Sequence, residues 1–578
     1  MAPAMWFFAS IVLAAADGDR RYVEDFEFVV DAIERDYAAL KTKAIDWDEV
    51  VKRFRPRFEK CGSDVDHVRN VMELLATLKD SHTGVVETKL SEADSKKLPG
   101  KFDGLFGGGL LFGFDQGRFV LRGLMPGNSL AASLPVGSAL VAVNGEPAWL
   151  SLARERRRVA LFQGLSSDHS FFGSLCNKLL PFGERKQIDA TFLLPDGKTK
   201  KVQVDRWGPG GRSFDFVGEF LPEGVARADG AVATTVATKW SKKVGFLKIT
   251  GGMDAATVKA FHAAFDSLRG MEALLLDCRA MGGGSDDCAW EMCGRLFTKG
   301  ADNGRNGRIA PSGAWQFDGP VVMLQDELEV SSAETFTWAA SETGRVVSVG
   351  RPTGGWGIIP KRYSLPSGLA DFRLGVNDRP TPIRGVHTEG VGWPPDVLLP
   401  LGPKLCAWTR RDVAPDPTPD PAMALGLKIL SVLHAGVAVD ETRAGFKALA
   451  DGDVAAFRSF AKKAGAKAKE LDAEELAKLF QDDLKGELEL EAAALALDDE
   501  MLADWVGISK RLPRLLARAK AAGLADGAAR IDKLVKAAKA GSPRRRRCSR
   551  SPTRRSRPTT PHGNRGSGST APRRPGAS

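Results

Sequence analysis

Ser331 falls where an apolar run of strand length, Val321 to Leu324, gives way to a helical pattern opened by Ala333, Glu334 and Phe336. A strand-to-helix turn holds a side chain out and leaves the amides of the helix N-terminus without partners. A serine hydroxyl is a poor nucleophile near neutral pH, so it needs a base within hydrogen-bond reach and donors for the oxyanion. The stretch Ser331-Ser332-Ala333-Glu334 also reads as a capping box, with either serine as N-cap and Glu334 completing it. Local sequence leaves both readings open.

His82 lies in the polar stretch Asp80-Ser81-His82-Thr83 behind an apolar helical segment, and His387 lies in a late loop. Imidazole, with a pKa near about 6.5, accepts a proton at working pH. Gly282, Gly283 and Gly284 follow the apolar run Ala273 to Asp277. Glycines there allow close backbone approach to a carbonyl, or simply make a tight strand-to-helix turn. Neither GK[ST] nor the Rossmann spacing follows them, which argues against a phosphate loop. No HExxH or clustered Asp/Glu/His set points to a metal. The seven cysteines (Cys61, Cys176, Cys278, Cys288, Cys293, Cys406 and Cys548) are odd in number and form no CxxC pair.

Four segments stand in a telling order: Leu78-Lys79-Asp80-Ser81-His82-Thr83, Asp277-Cys278-Arg279-Ala280-Met281-Gly282-Gly283-Gly284, Ser331-Ser332-Ala333-Glu334, and Glu389-Gly390-Val391-Gly392-Trp393-Pro394-Pro395-Asp396. Together they resemble the motifs of the C-terminal processing (tail-specific) serine peptidases and of the tricorn core, over about Asp25 to Pro400. Ala280 and Met281 depart from the family's glycine and asparagine but leave the glycines in place. The tail-specific base is a lysine in a TFGKG-like segment, which here reads Thr353-Gly354-Gly355-Trp356-Gly357. Tryptophan takes no proton, so the Ser/Lys dyad is lost unless Lys361 replaces it.

The tricorn-like branch implies a different set: Ser331 as nucleophile, His82 as its base, Glu389 orienting that base, and Ser81 assisting. His387 is the competing histidine. The oxyanion donors implied are the amides of Ser332 and of Gly282 or Gly283. The resemblance further implies hydrolysis of polypeptides through an acyl-enzyme, with no metal or organic cofactor. Gly108-Gly109-Leu110-Leu111-Phe112 and the stretch Gly137 to Gly145 are similar to the ligand loop and the G-D-x-I-x-x-V-N-G stretch of PDZ domains, which bind extended peptides by strand addition. Ser138 replaces the usual aspartate, and residues near Trp149 to Leu180 read as an insertion. The alternative from another class is a catalytically silent peptide-binding scaffold, which Trp356 motivates.

These residues need elements to position them, and the chain reads as multidomain α/β. A helical domain spans 21–95, a PDZ-like β domain 101–207, an α/β (ClpP/crotonase-like) peptidase core 230–402, and a helical region 422–540 follows a Pro-rich boundary at Pro415, Pro417, Pro419 and Pro421. The tail, 541–578, carries eleven arginines and no acid, more than the chain's net charge of +10, so the remainder carries −1. Nucleic acid is therefore not an expected partner of the folded body. The tail, too polar to bury a core, reads as disordered and suits an anionic partner. The apolar run Met5 to Ala16, ending in three alanines, resembles a short signal peptide without its basic start and is too short to span a bilayer. Secretion or periplasmic export is the expectation it raises, with the cytoplasm as alternative; no integral membrane span is expected.

Overall fold

The computed structural model describes residues 20–99, 109–115, 118–124, 128–178, 187–205, 221–222, 224–302, 308–378, 380–406, 420–465, 468, 471–495 and 505–541. The apolar run 1–16, Gly108, the prolines at 415–419 and the tail beyond 541 lie outside them. No described helix is long and apolar enough to cross a membrane.

Three amphipathic helices open the chain. In α1 (Arg20–Asp36) Tyr22, Phe26, Val29, Val30 and Ile33 share one buried stripe. Asp46 and Ser63 cap α2 (Trp47–Glu59) and α3 (Asp64–Ala76), accepting from the Glu49 and Asp66 amides at 3.2 and 3.1 Å. After Lys79 turns the chain at φ +52°, β1 (Gly84–Thr88) and a single helical turn, α4 (Glu92–Ser95), follow.

The next unit is a sheet in the order β2-β3-β4-β6-β7. Its strands are β2 (Leu110–Asp115), β3 (Arg118–Leu124), β4 (Ala139–Val143), the short β5 (Glu146–Pro147) beside β4, β6 (Gln187–Leu193) and β7 (Thr199–Asp205). Between β5 and β6 run α5 (Ala148–Val159) and α6 (Asp168–Lys178). Leu110, Leu111 and Phe112, expected to face a peptide groove, are instead at most 4% exposed. Leu110 and Phe112 join Phe119, Phe172 and Phe192 in the domain core. Burying them there gains more than leaving them in water, so β2 offers only its backbone edge.

The third unit is a mainly parallel sheet in the order β17-β14-β13-β10-β9-β8, only β8 (Ala231–Val236) running antiparallel. Its other strands are β9 (Val244–Ile249), β10 (Ala273–Asp277), β13 (Val321–Gln325), β14 (Val347–Gly350) and β17 (Val397–Leu398), with the ribbon β11 (Ala301–Asp302) and β12 (Arg308–Ile309) off to one side. Every residue of β9, β10 and β13 is buried, as a strand covered on both faces requires. Leu247, Leu276 and Met323 pack toward α7 (Ala255–Asp266), α8 (Asp286–Cys293) and α9 (Ser332–Glu342). Between β14 and β17 the chain leaves the sheet to form β15 (Ile359–Ser364) and β16 (Ala370–Asn377), which pair with each other, β16 also pairing with β1.

Two expected boundaries change as a result. The N-terminal helices do not close a core alone: Phe26, Phe54 and Leu75 bury against Tyr363, Phe372 and Leu374 of β15 and β16. The second face of the parallel sheet, with Phe246, Leu275 and Leu324, is covered by α10 (Pro421–His434), α11 (Val439–Ala450) and α12 (Val454–Gly465). The α/β core therefore continues past residue 402, because a parallel sheet exposed on one face would leave a whole apolar layer in water. Further on, α13 (Ala473–Leu495) packs with α14 (Trp505–Ala521) and α15 (Ala525–Gly541) and sets Leu490 against Ala139 and Leu193 of the β domain.

Candidate active site

Ser331 follows β13 at its carboxyl end, the edge where open α/β sheets place their sites. Its backbone lies at φ +61°, ψ −131°, a conformation that a residue with a Cβ holds only under restraint. Glu334, buried in the first turn of α9, supplies that restraint. Its Oε2 accepts from the Ser331 amide at 3.1 Å and the Trp356 amide at 2.7 Å, and its Oε1 accepts from the Gly355 amide at 2.8 Å and from Thr353 Oγ1. The Glu334 amide goes to the Ser331 carbonyl at 2.8 Å, and the capping box between Ser331 and Glu334 uses the Ser331 hydroxyl only as an acceptor, leaving its proton free. Burial pushes the Glu334 carboxyl up to about 7 in spite of these four bonds.

The hydroxyl meets His82 instead. Ser331 Oγ and His82 Nε2 are 3.0 Å apart. The His82 loop is built on buried Asp80, whose Oδ1 accepts from the His82 amide at 2.8 Å and whose Oδ2 accepts from Thr83 Oγ1 at 2.8 Å. Thr83 in turn accepts from the Gly375 amide of β16 at 3.0 Å, fastening the loop to the sheet. The Trp356 indole stands edge-on to the imidazole, centroids 5.5 Å apart and planes at 82°. Burial lowers the pKa of His82 below its usual value, with the Asp80 charge opposing. The ring is thus neutral near neutral pH and able to accept the Ser331 proton. Its Nδ1 is buried without a hydrogen-bond partner among the described residues.

The glycine turn passes directly beneath the nucleophile. A Cβ on Gly283 would stand 2.4 Å from Ser331 Cβ and 2.9 Å from its Oγ. Asp326 joins the two loops, accepting from the Ala280 amide at 2.9 Å and the Leu328 amide at 3.1 Å. The root of the turn is a buried ion network: Lys248 donates to the Arg279 carbonyl at 2.7 Å, and Arg279 bridges Asp277 and Asp420, each at 2.6 Å. Asp420 also caps α10, so the helix that closes the core anchors this loop. Ser332, whose amide opens α9 and has no carbonyl within the helix, donates its hydroxyl to the Gly284 carbonyl at 2.9 Å.

Other expected residues are placed differently. Glu389 does not bond to His82: its Oε1 accepts from Lys43 Nζ at 2.6 Å and its Oε2 from the Gly357 amide at 3.0 Å. The side chain is 4% exposed, and burial with the nearby Asp80 charge pushes its carboxyl up to about 7. The Ser81 hydroxyl accepts from the Ser166 amide at 2.9 Å, a tie between loops and not a contact with Ser331. His387 pairs with Asp378 at 3.2 Å, and Lys361 lies over the Tyr363 ring. Neither of these contacts involves Ser331.

Residues 243–399 match the model of peptidase family S41. The segment that carries Ser331 and the glycine turn is thus similar to the S41 serine peptidases. The fold is similar to the solved structure of mature CPAF at 16% identity, covering 66% of this chain and 93% of that one, with a TM-score of 0.46. The photosystem II D1 C-terminal processing protease gives 19% identity over 65% and 93%, TM-score 0.38, and the tricorn protease 16% over 71% and 37%, TM-score 0.36.

The loops around Ser331 and His82 are held by a segment whose role the sequence motifs do not reveal. Residues 160–173, within the insertion of the β domain, press on them from outside. The Ser166 hydroxyl accepts from the Ser81 amide at 2.8 Å; Ser167 Oγ donates to the Gly354 carbonyl and His169 Nε2 to the Thr353 carbonyl, each at 2.6 Å; and Ser170 Oγ accepts from the Trp356 indole at 3.1 Å. Gly164 leaves no room for a Cβ, which would meet the Asp80 carbonyl oxygen at 2.1 Å. The one local signal is the polar run Ser166 to Ser170 between Leu165 and Phe171. Above Ser331 and His82 opens a cleft of about 650 Å³, lined also by Trp356, Ile358, Pro360 and Thr388.

Proposed function

We propose that this protein hydrolyses peptide bonds of unstructured or tail-presented polypeptides through an acyl-enzyme on Ser331. The observation that carries this reading is the 3.0 Å contact between Ser331 Oγ and His82 Nε2 at the base of an open cleft. In the acylation step Ser331 Oγ bonds to the carbonyl carbon while its proton passes to His82 Nε2. The tetrahedral oxyanion is held by the amides of Ser332 and of Gly283 or its neighbour Gly282. The C–N bond then breaks, the amine leaves with the proton from His82, and water repeats the sequence to release the acid. Glu389 and Glu334 act one remove away, each holding amides of the loop that carries Trp356 against His82.

The outer edge of β2 suits a substrate tail, since an edge strand takes an extended chain through its backbone. Gly109 to Phe112 would contribute main-chain groups there. A fluorophosphonate probe should label Ser331 in the wild-type protein, and a casein-like substrate should be cut. Ser331→Ala should abolish both, and His82→Ala should lower both by about 10³-fold or more. Undiminished hydrolysis by Ser331→Ala would sink the assignment.

A further inference from the structure

One wall of the cleft over Ser331 is the sheet of β1, β16 and β15, and it presents two arginines, Arg362 and Arg373. They are direct cross-strand partners, so they lie on one face, where like charges repel unless each has a counter-charge. Arg362 has two: its Nε donates to Asp371 at 3.0 Å, and its Nη2 reaches both Asp371 and Glu87. Arg373 has no acid partner among the described residues. Its neighbour on the other strand is Gly84, which offers no side chain at all.

The Arg373 side chain is exposed, and its positive charge is close enough to be felt by the His82 imidazole. The cleft holds two acids. Glu334 is committed to three amides and Thr353, and Asp286 stands at the start of α8, outside this sheet. Among the described residues the wall therefore carries one cation without a counter-charge, facing the space where a polypeptide must lie.

We propose that Arg373 binds a carboxylate of the substrate, either its C-terminal α-carboxylate or an acidic side chain near the scissile bond, so that the cleft selects chains bringing negative charge beside Ser331. This rests on the peptidase reading above. A guanidinium suits the task because its planar fork matches a carboxylate through two parallel N–H bonds. Polypeptide substrates supply that group at their ends and along their length.

The test uses the full-length protein and one peptide in four forms: free acid end, amidated end, internal Glu→Gln, and internal Glu→Lys. The quantities read are kcat/KM and, in the Ser331→Ala background, binding by fluorescence anisotropy. Wild type should favour an acidic form by about 10-fold or more. Loss of that preference on amidation assigns the α-carboxylate; loss on Glu→Gln assigns the side chain. Arg373→Gln should bring the ratio of acidic to neutral forms to about one, and Arg373→Glu should turn the preference toward the lysine peptide, an inversion that misfolding does not produce. A preference that survives Arg373→Gln, or equal rates for all four forms in wild type, overturns the proposal. Absence of hydrolysis with an Arg373-dependent preference in binding would instead refute the peptidase reading and leave the carboxylate site standing.

Discussion

Lys43 reaches from the N-terminal helical segment to Glu389, 346 residues away in sequence, and donates to its carboxylate at 2.6 Å while also donating to the Lys79 carbonyl at 2.7 Å. The bond links the unit that carries His82 to the loop that closes the site. It also gives Glu389 the cation that its burial demands, since an uncompensated buried charge is costly.

Lys43→Met should therefore destabilise the protein by roughly 3 kcal/mol, because it leaves the Glu389 carboxyl buried without its partner. Glu389→Gln in the same background should restore most of that loss. Urea unfolding of the two single variants and the double variant measures the coupling; purely additive effects would show that the pair is not linked.

The acid limb of the pH profile belongs to His82. Its Nε2 must be unprotonated to take the Ser331 proton, and burial holds its pKa below the ordinary 6.5. kcat/KM should accordingly be level near neutral pH and fall only on the acid side of that value. Asp80 opposes the shift, so Asp80→Asn should lower the His82 pKa further and move the limb to still lower pH. A limb that moves upward in this variant would assign it to another group.

Gly283→Ala should abolish most activity while the protein remains folded. The added methyl would stand 2.4 Å from Ser331 Cβ, so either the glycine turn or the nucleophile must move. Loss of one oxyanion donor costs about 10²- to 10³-fold in kcat, and displacement of the turn should fall in that range. Turnover measured beside circular dichroism separates the two effects; wild-type turnover in this variant would contradict the geometry.

Ser167→Ala removes the donor to the Gly354 carbonyl from the inserted segment. Leaving that buried carbonyl unpaired should cost about 1–3 kcal/mol and lower kcat several-fold, since Gly354 precedes the Gly355 and Trp356 amides that Glu334 holds. Stopped-flow acylation with an activated ester would locate the loss in the chemical step. An unaltered acylation rate would mean that the segment only packs.

The elements of the site were legible wherever the information is local. Ser331, Gly282 to Gly284 and His82 each sit just beyond an apolar strand or helix pattern, and such patterns follow from which faces must be buried. His82 came from the likeness of its loop to the tricorn-type motif, and the structure sets its Nε2 3.0 Å from Ser331 Oγ.

What partners a buried carboxylate was not legible. Glu389 falls in a motif that suggested His82, yet its acceptors are filled by Lys43 and Gly357, a choice made by distances between segments hundreds of residues apart. The same holds for the run Ser166 to Ser170, whose hydroxyls and imidazole find carbonyls and amides only once the β domain is docked. Domain limits behaved alike: Phe372 and Leu374 complete the first helical core, and α10 to α12 cover the parallel sheet. The sequence alone placed a serine just past a strand end, the glycine turn and the apolar faces, because periodicity records burial. Tertiary structure alone decided which polar groups meet, because a hydrogen bond depends on position in space and leaves no period along the chain.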